Sequence, residues 1–236
     1  MGKKKNRKIF RDLKRGLVTF TNPKSPISEQ YRTIRTNIQF SMIDKRLRTL
    51  VCTSAMPGEG KSTTISNLAV TFAQQGKRTL LVDADLRRPT LHHLMEVNNQ
   101  VGLTSLLTKR CSLKDAIIEN TKENGLHVLP SGPIPPNPSE MLSSNMMEEL
   151  ILELLSIYDM ILFDSPPVLA VTDSLILGKY CEGVLLVLRP HQTEKKDLLK
   201  AKELLDRSNA KLLGVIMNDV HANQVAYHSY YGNQKD

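Results

Sequence analysis

Residues 48–63, RTLVCTSAMPGEGKST, decide the fold. The first half, 48–54, is a nearly unbroken apolar run of strand length, as a strand buried on both faces reads. The second half, 55–63, is broken by glycines and ends in Lys-Ser-Thr. This is the Walker A pattern, with Ala55 at the first glycine position. Gly58 and Gly60 allow the tight turn that points successive N–H groups into one concavity. A helix starting near Lys61 aims its positive end at whatever anion sits there. Pro57, Gly58, Glu59 and Gly60 then form the cradle of an ATP-binding loop. Lys61 reaches the β- and γ-phosphate oxygens, the Ser62 hydroxyl ligates Mg²⁺, and Thr63 lies near the α-phosphate.

Outward from this loop, runs of the same kind recur at 78–83, 126–130, 159–164, 183–189 and 211–218. Helical patterns fill the gaps. Residues 61–75 place Leu68, Ala69 and Phe72 on one face. Residues 139–156 carry Met141, Leu142, Met146, Leu150 and Leu154 at helical spacing. Residues 194–208 follow Thr193 as a plausible N-cap. A further helix, 28–41, precedes the first strand and is entered through Pro23 and Pro26. The segment 131–138, SGPIPPNP, is a stiff loop by composition. Such alternation predicts an α/β, three-layer P-loop NTPase fold: a mostly parallel central sheet, helices on both faces, and an extra N-terminal helix.

Three aspartates complete the expected site. Asp164 closes the apolar run 160–163 and precedes Ser-Pro-Pro, a Walker B arrangement. Asp83 and Asp85 follow another run, in LLVDADLRRP, and alternation along an extended segment puts them on one side. All three are expected at the carboxyl edge of the sheet, where open α/β folds bind ligands. Asp164 is assigned to Mg²⁺ through water, Asp85 to support of the metal, and Asp83 to accepting a proton from an incoming hydroxyl. With Lys61 these form the candidate catalytic set; Ser62, Asp85 and Asp164 are the candidate metal ligands. Asp83 or Asp85 can also be read as a turn or N-cap residue. Asn218 can be read as a reader of the adenine edge, since an amide both donates and accepts, or as a turn residue. Arg87 and Arg88 fit contact with phosphate, contact with a neighbouring subunit, or solvent.

Composition narrows the remaining classes. The 236 residues carry a net charge of +8. Residues 1–15 alone hold eight Lys or Arg against one Asp, while the rest of the chain holds 24 basic and 23 acidic residues. The excess therefore belongs to a basic arm, suited to anionic lipid, nucleic acid, an acidic partner or plain solvent. The nearly neutral remainder has no Trp and five Phe, too few aromatics for a base-stacking platform, so no direct nucleic-acid partner is expected. Three cysteines with no C-x-x-C spacing argue against a disulfide framework or a zinc site. No apolar run approaches the roughly 20 residues of a membrane span, and no apolar stretch follows the basic arm as in a signal peptide. A cytoplasmic location is expected. The boundaries read as a flexible arm at 1–22, one domain at 23–220, and a flexible tail at 221–236.

Several motifs taken together resemble the bacterial tyrosine kinases that control capsule and exopolysaccharide synthesis: EQYRTIRTN at 29–37, SAMPGEGKST at 54–63, LLVDADLRRP at 80–89, GLTSLL at 102–107, SGPIPPNPSEML at 131–142 and FDSPP at 163–167. The resemblance covers nearly the whole chain. It implies a Walker A′ role for Asp83 and Asp85, and a C-terminal tyrosine cluster phosphorylated between subunits. Here that cluster is Tyr227, Tyr230 and Tyr231, half of the six tyrosines, within the last ten residues. The family's E-x-x-R-x-x-R motif falls on Glu29, Arg32 and Arg35, and implies a homo-oligomeric ring. Each phosphate would add about −1.5 to −2 charge, which favours expulsion of the tail and loosening of the ring. The family's split form implies a transmembrane activator whose cytoplasmic segment recruits the kinase to the inner face of the membrane. It also implies protein substrates such as nucleotide-sugar dehydrogenases. The rival reading is a partition or cell-division ATPase of the same fold. Its signature lysine would stand where this chain has Met56.

Overall fold

The computed structural model describes residues 16–41, 47–119 and 123–219. The tail tyrosines and the basic stretch 1–15 lie outside them. Among the described residues seven strands form one sheet in the order β3-β4-β2-β5-β1-β6-β7. They are β1 Thr49–Ser54, β2 Thr79–Asp83, β3 Ile118–Glu119, β4 Leu126–Leu129, β5 Met160–Asp164, β6 Gly183–Leu188 and β7 Leu212–Met217. All neighbours pair parallel except β3 with β4. Every residue of β1, β2 and β5 is buried, which is why their sequences show no polar alternation. At the edge, β7 leaves Val215 and Met217 exposed.

Two apolar layers hold helices to the sheet. One packs α1 Val18–Thr21, α2 Pro26–Phe40, α3 Lys61–Gln74 and α4 Leu91–Met95 around Leu50, Leu81, Leu162 and Phe72. The opposite layer packs α5 Leu103–Leu107, α6 Leu113–Ala116, α7 Pro138–Leu142, α8 Asn145–Ile157, α9 Asp173–Tyr180 and α10 Lys195–Arg207 around Val51, Val82, Ile161 and Phe163. The expected three-layer architecture and its six long strands are present.

Three expectations need correction. α3 buries Leu68, Ala69 and Phe72 as expected, and Thr64 to Ala73 throughout, because α1 and α2 cover the side turned away from the sheet. The helix expected over 139–156 is two helices. Ser143 and Ser144 turn their hydroxyls back onto the Glu140 and Met141 carbonyls, and Ser144 takes an extended conformation that starts α8 afresh. Thr193 does not cap α10. Glu194 holds that position, while the Thr193 hydroxyl accepts the Arg189 N–H and donates to Glu59. The folded body also begins before residue 23. Leu17 and Thr19 are buried, and Asn67 ties this segment to α3: its Oδ1 accepts from the Thr19 N–H at 3.0 Å and the Thr19 hydroxyl at 2.8 Å, and its Nδ2 donates to the Gly16 carbonyl.

A chain beginning at Pro23 is therefore expected to be less stable than the full chain by about 2 kcal/mol or more, the scale of one buried leucine plus broken buried hydrogen bonds. Urea unfolding midpoints of the two chains check this.

Candidate active site

The register of the sheet assembles the site. Asp83 at the end of β2 stands opposite Asp164 at the end of β5, and Asp164 stands opposite Cys52 of β1. The phosphate loop leaves β1 two residues later, so loop and carboxylates share one edge. The loop after β5 is fixed there by the Ser165 hydroxyl donating to the Cys52 carbonyl and the Val168 N–H donating to Ser54.

The loop has the conformation its glycines predict. Gly58 and Gly60 have φ of 85° and 90°, and Gly60 sits at the N-cap of α3. At Gly60 the left-handed φ already strains any side chain, and a Cβ there, 2.0 Å from Asn218 Nδ2, would also displace that amide. Glu59 turns its carboxylate under the loop, wholly buried. There it accepts the Met56 N–H at 2.9 Å and the Thr193 hydroxyl.

Lys61 folds over this edge. Its Nζ lies 3.2 Å from Asp85 Oδ2, 3.6 Å from Asp164 Oδ1 and 3.3 Å from the Ser62 hydroxyl. Burial alone would lower the Lys61 pKa, but the charges of Asp164 and Asp85 outweigh it and the net shift is upward. The ammonium stays charged. Burial, reinforced by the Asp164 charge, pushes Asp83 well above the ordinary carboxylate range. Burial also raises Asp164, against the pull of Lys61. Cys52 lies below, its thiol pushed well up by burial and by Asp164, and so is an inert neutral group.

The residues fit Mg²⁺ and a triphosphate. Neither oxygen of Asp164 has a hydrogen-bond partner among the described residues, nor has Asp83 Oδ1, although all three are buried. Unmet carboxylate oxygens facing one ammonium are what a hydrated divalent cation satisfies. Among the described residues no set of three or more His, Cys, Asp or Glu is placed to hold a metal by itself. Mg²⁺ is usually held by one or two side chains with phosphates and waters completing the shell, so this agrees.

The other expected site residues divide. Asp83 has the contacts of its capping reading: its Oδ2 accepts the Thr90 and Leu91 N–H groups at the start of α4, while its Oδ1 has no hydrogen-bond partner among the described residues. Asp85 accepts the Arg88 N–H as well as meeting Lys61. Pro57 is exposed at the loop's rim, and Thr63 lies in the first turn of α3. Asn218 stands at the loop's flank, with Nδ2 donating to the Glu59 carbonyl at 3.0 Å. Glu29 and Arg32 pair with each other at 2.9 Å on the outside of α2, whereas Arg35 turns inward to the Thr71 carbonyl of α3. The three do not form one outward stripe. Tyr227, Tyr230 and Tyr231 lie outside the described residues.

Two contributors were not legible in the sequence. The Thr90 hydroxyl sits 3.2 Å from the Ser62 hydroxyl. Arg87 meets neither phosphate loop nor solvent alone: its Nε and Nη2 reach the two oxygens of wholly buried Asp173 at 2.8 and 3.1 Å, and Nη2 also donates to Ser139. This clamp ties the loop bearing Asp83 and Asp85 to the starts of α7 and α9. The charge in LRRP gave no hint of a partner 86 residues away.

Residues 47–213 match the model of the AAA domain family AAA_31. The chain is 51% identical to the tyrosine-protein kinase YwqD of Bacillus subtilis, over 94% of this chain and 93% of that one. It is 39% identical to the putative tyrosine-protein kinase CapB of Staphylococcus aureus, over 92% and 95%. Among solved structures, the kinase domain of the Escherichia coli tyrosine kinase ETK superposes with a TM-score of 0.83 at 33% identity, covering 89% of this chain and 83% of that one. The cell-division ATPase MinD of Pyrococcus furiosus gives 0.61 at 27% identity, over 72% and 71%.

Two outcomes are expected. Arg87→Ala leaves the buried Asp173 carboxylate with the Ser139 hydroxyl, 2.7 Å away, as its remaining side-chain donor, and because the guanidinium is itself partly exposed should cost about 1–2 kcal/mol, read from denaturant unfolding. For Asp83, the folded-state pKa lies above the unfolded value near 3.8, so the folded form binds protons more readily and wild-type stability falls as pH rises through that window. Asp83→Asn removes this titration. Its melting temperature relative to wild type should therefore rise as pH is raised above the ordinary carboxylate range; a flat or falling difference would contradict the assignment.

Proposed function

The chain belongs to the bacterial tyrosine-protein kinase family, and on that premise we propose that it uses Mg-ATP to phosphorylate its own C-terminal tyrosines, Tyr227, Tyr230 and Tyr231, between subunits, and then other proteins. The observation that carries this reading is the buried pair Asp85 and Asp164 facing Lys61, with buried Asp83 in register beside Asp164, next to a loop turned by glycines. ATP supplies the transferable phosphoryl group there, and Mg²⁺ neutralises charge developing on it. Ser62, Asp85 and Asp164 hold the cation. Lys61 is drawn from its carboxylates to the phosphate oxygens. Asp83 keeps one oxygen free of backbone donors, which leaves that oxygen to accept a tyrosyl proton. The remaining Asn218 acceptor is offered to the adenine edge.

The finer biology rests on the family. The kinase regulates capsule or exopolysaccharide synthesis, with protein substrates such as nucleotide-sugar dehydrogenases. A transmembrane activator brings it to the inner face of the membrane; among the described residues no helix is long and apolar enough to cross one. Subunits assemble in a ring through the outer face of α2, where Glu29 and Arg32 are available and Arg35 stiffens the helix from behind.

Purified chain incubated with Mg-ATP, with and without an activator's cytoplasmic segment, should gain phosphate on Tyr227, Tyr230 or Tyr231 by mass spectrometry. Lys61→Met should reduce this at least a hundredfold, the scale of losing one preorganised charge contact to the transferred group. ATP hydrolysis with no phosphotyrosine in either condition would favour the partition-ATPase reading instead.

A further inference from the structure

The Glu59–Gly60 peptide of the phosphate loop is held from two sides. From below, the buried Glu59 carboxylate accepts the Met56 N–H and the Thr193 hydroxyl. From the flank, Asn218 reaches in from the end of β7, its own N–H anchored on the Leu188 carbonyl of β6 at 2.8 Å. Its Nδ2 donates to the Glu59 carbonyl at 3.0 Å, with the side chain lying against the bare α-carbon of Gly60. A trans peptide is planar, so its carbonyl and its N–H point opposite ways. Pinning the Glu59 carbonyl toward Asn218 turns the Gly60 N–H away from Asn218.

We propose that Asn218 is a positioning residue for phosphate binding: by fixing the Glu59 carbonyl it orients the Gly60 N–H into the anion cradle. It thereby acts on the phosphates of any nucleotide, in addition to whatever its free acceptor offers a base. A side chain at 60, besides being strained at that φ, would push away the amide that pins the peptide. The proposal rests on the reading of this loop as a triphosphate cradle.

The test is a ligand titration of melting temperature with Mg²⁺ present, using inorganic tripolyphosphate, ATP and GTP on the full chain. Wild type is compared with Asn218→Ala and with Asn218→Leu, which keeps bulk but cannot donate. The expected result is a parallel loss of affinity for all three ligands, about tenfold in each variant, the scale of one buried hydrogen bond left unmade. Weakening of ATP alone, with tripolyphosphate unchanged, would make Asn218 a base reader and overturn the proposal. Unchanged affinity for all three would overturn it equally. If wild type itself gains no stability from tripolyphosphate, the cradle reading fails and this proposal with it.

Discussion

One ammonium set among buried carboxylates is the constraint around which the structure is arranged. Lys61 faces Asp85 and Asp164, and Asp83 stands in register beside Asp164. Three acidic groups against one basic group, out of water, is an unfavourable balance by itself. The upward shifts of Asp83 and Asp164 express that cost. A cation and its waters at the oxygens of Asp83 and Asp164 that lack hydrogen-bond partners would offset that excess of negative charge.

Such a burden requires rigid support, and the loops around it are tied down individually. Arg87 joins the second loop to Asp173 and Ser139. Ser165 and Val168 lock the loop after β5 to β1. Glu59, Thr193 and Asn218 brace the phosphate loop. The wholly buried strands β1, β2 and β5 and the nearly wholly buried α3 stabilise the fold under this strained edge. Conflict between local electrostatics and overall stability is concentrated where ligand binding resolves it.

Much of this was legible beforehand, for physical reasons that differ between residues. The strands announced themselves because burial on both faces demands continuous apolar runs. The phosphate loop did so because its turn demands glycine at 58 and 60. Element ends were harder. Ser143 and Ser144 broke an apolar pattern that was helical on both sides of them. Thr193 had the residue type of a cap yet served Glu59. Long charged side chains were the least legible: Arg35 turns inward to α3 and Arg87 to Asp173, choices made by partners distant in the chain.

The sequence by itself determined the α/β class, the glycine-turned loop at 55–63 and the identity of the carboxylates at its strand ends, because each follows from local backbone demands and short-range patterning. Only the tertiary structure decided which oxygens stay free, which arginine is spent on the fold, and how Asn218 meets Gly60. Those depend on strand order and register, which bring β2, β5, β1 and β7 to one edge, and no local pattern carries that information.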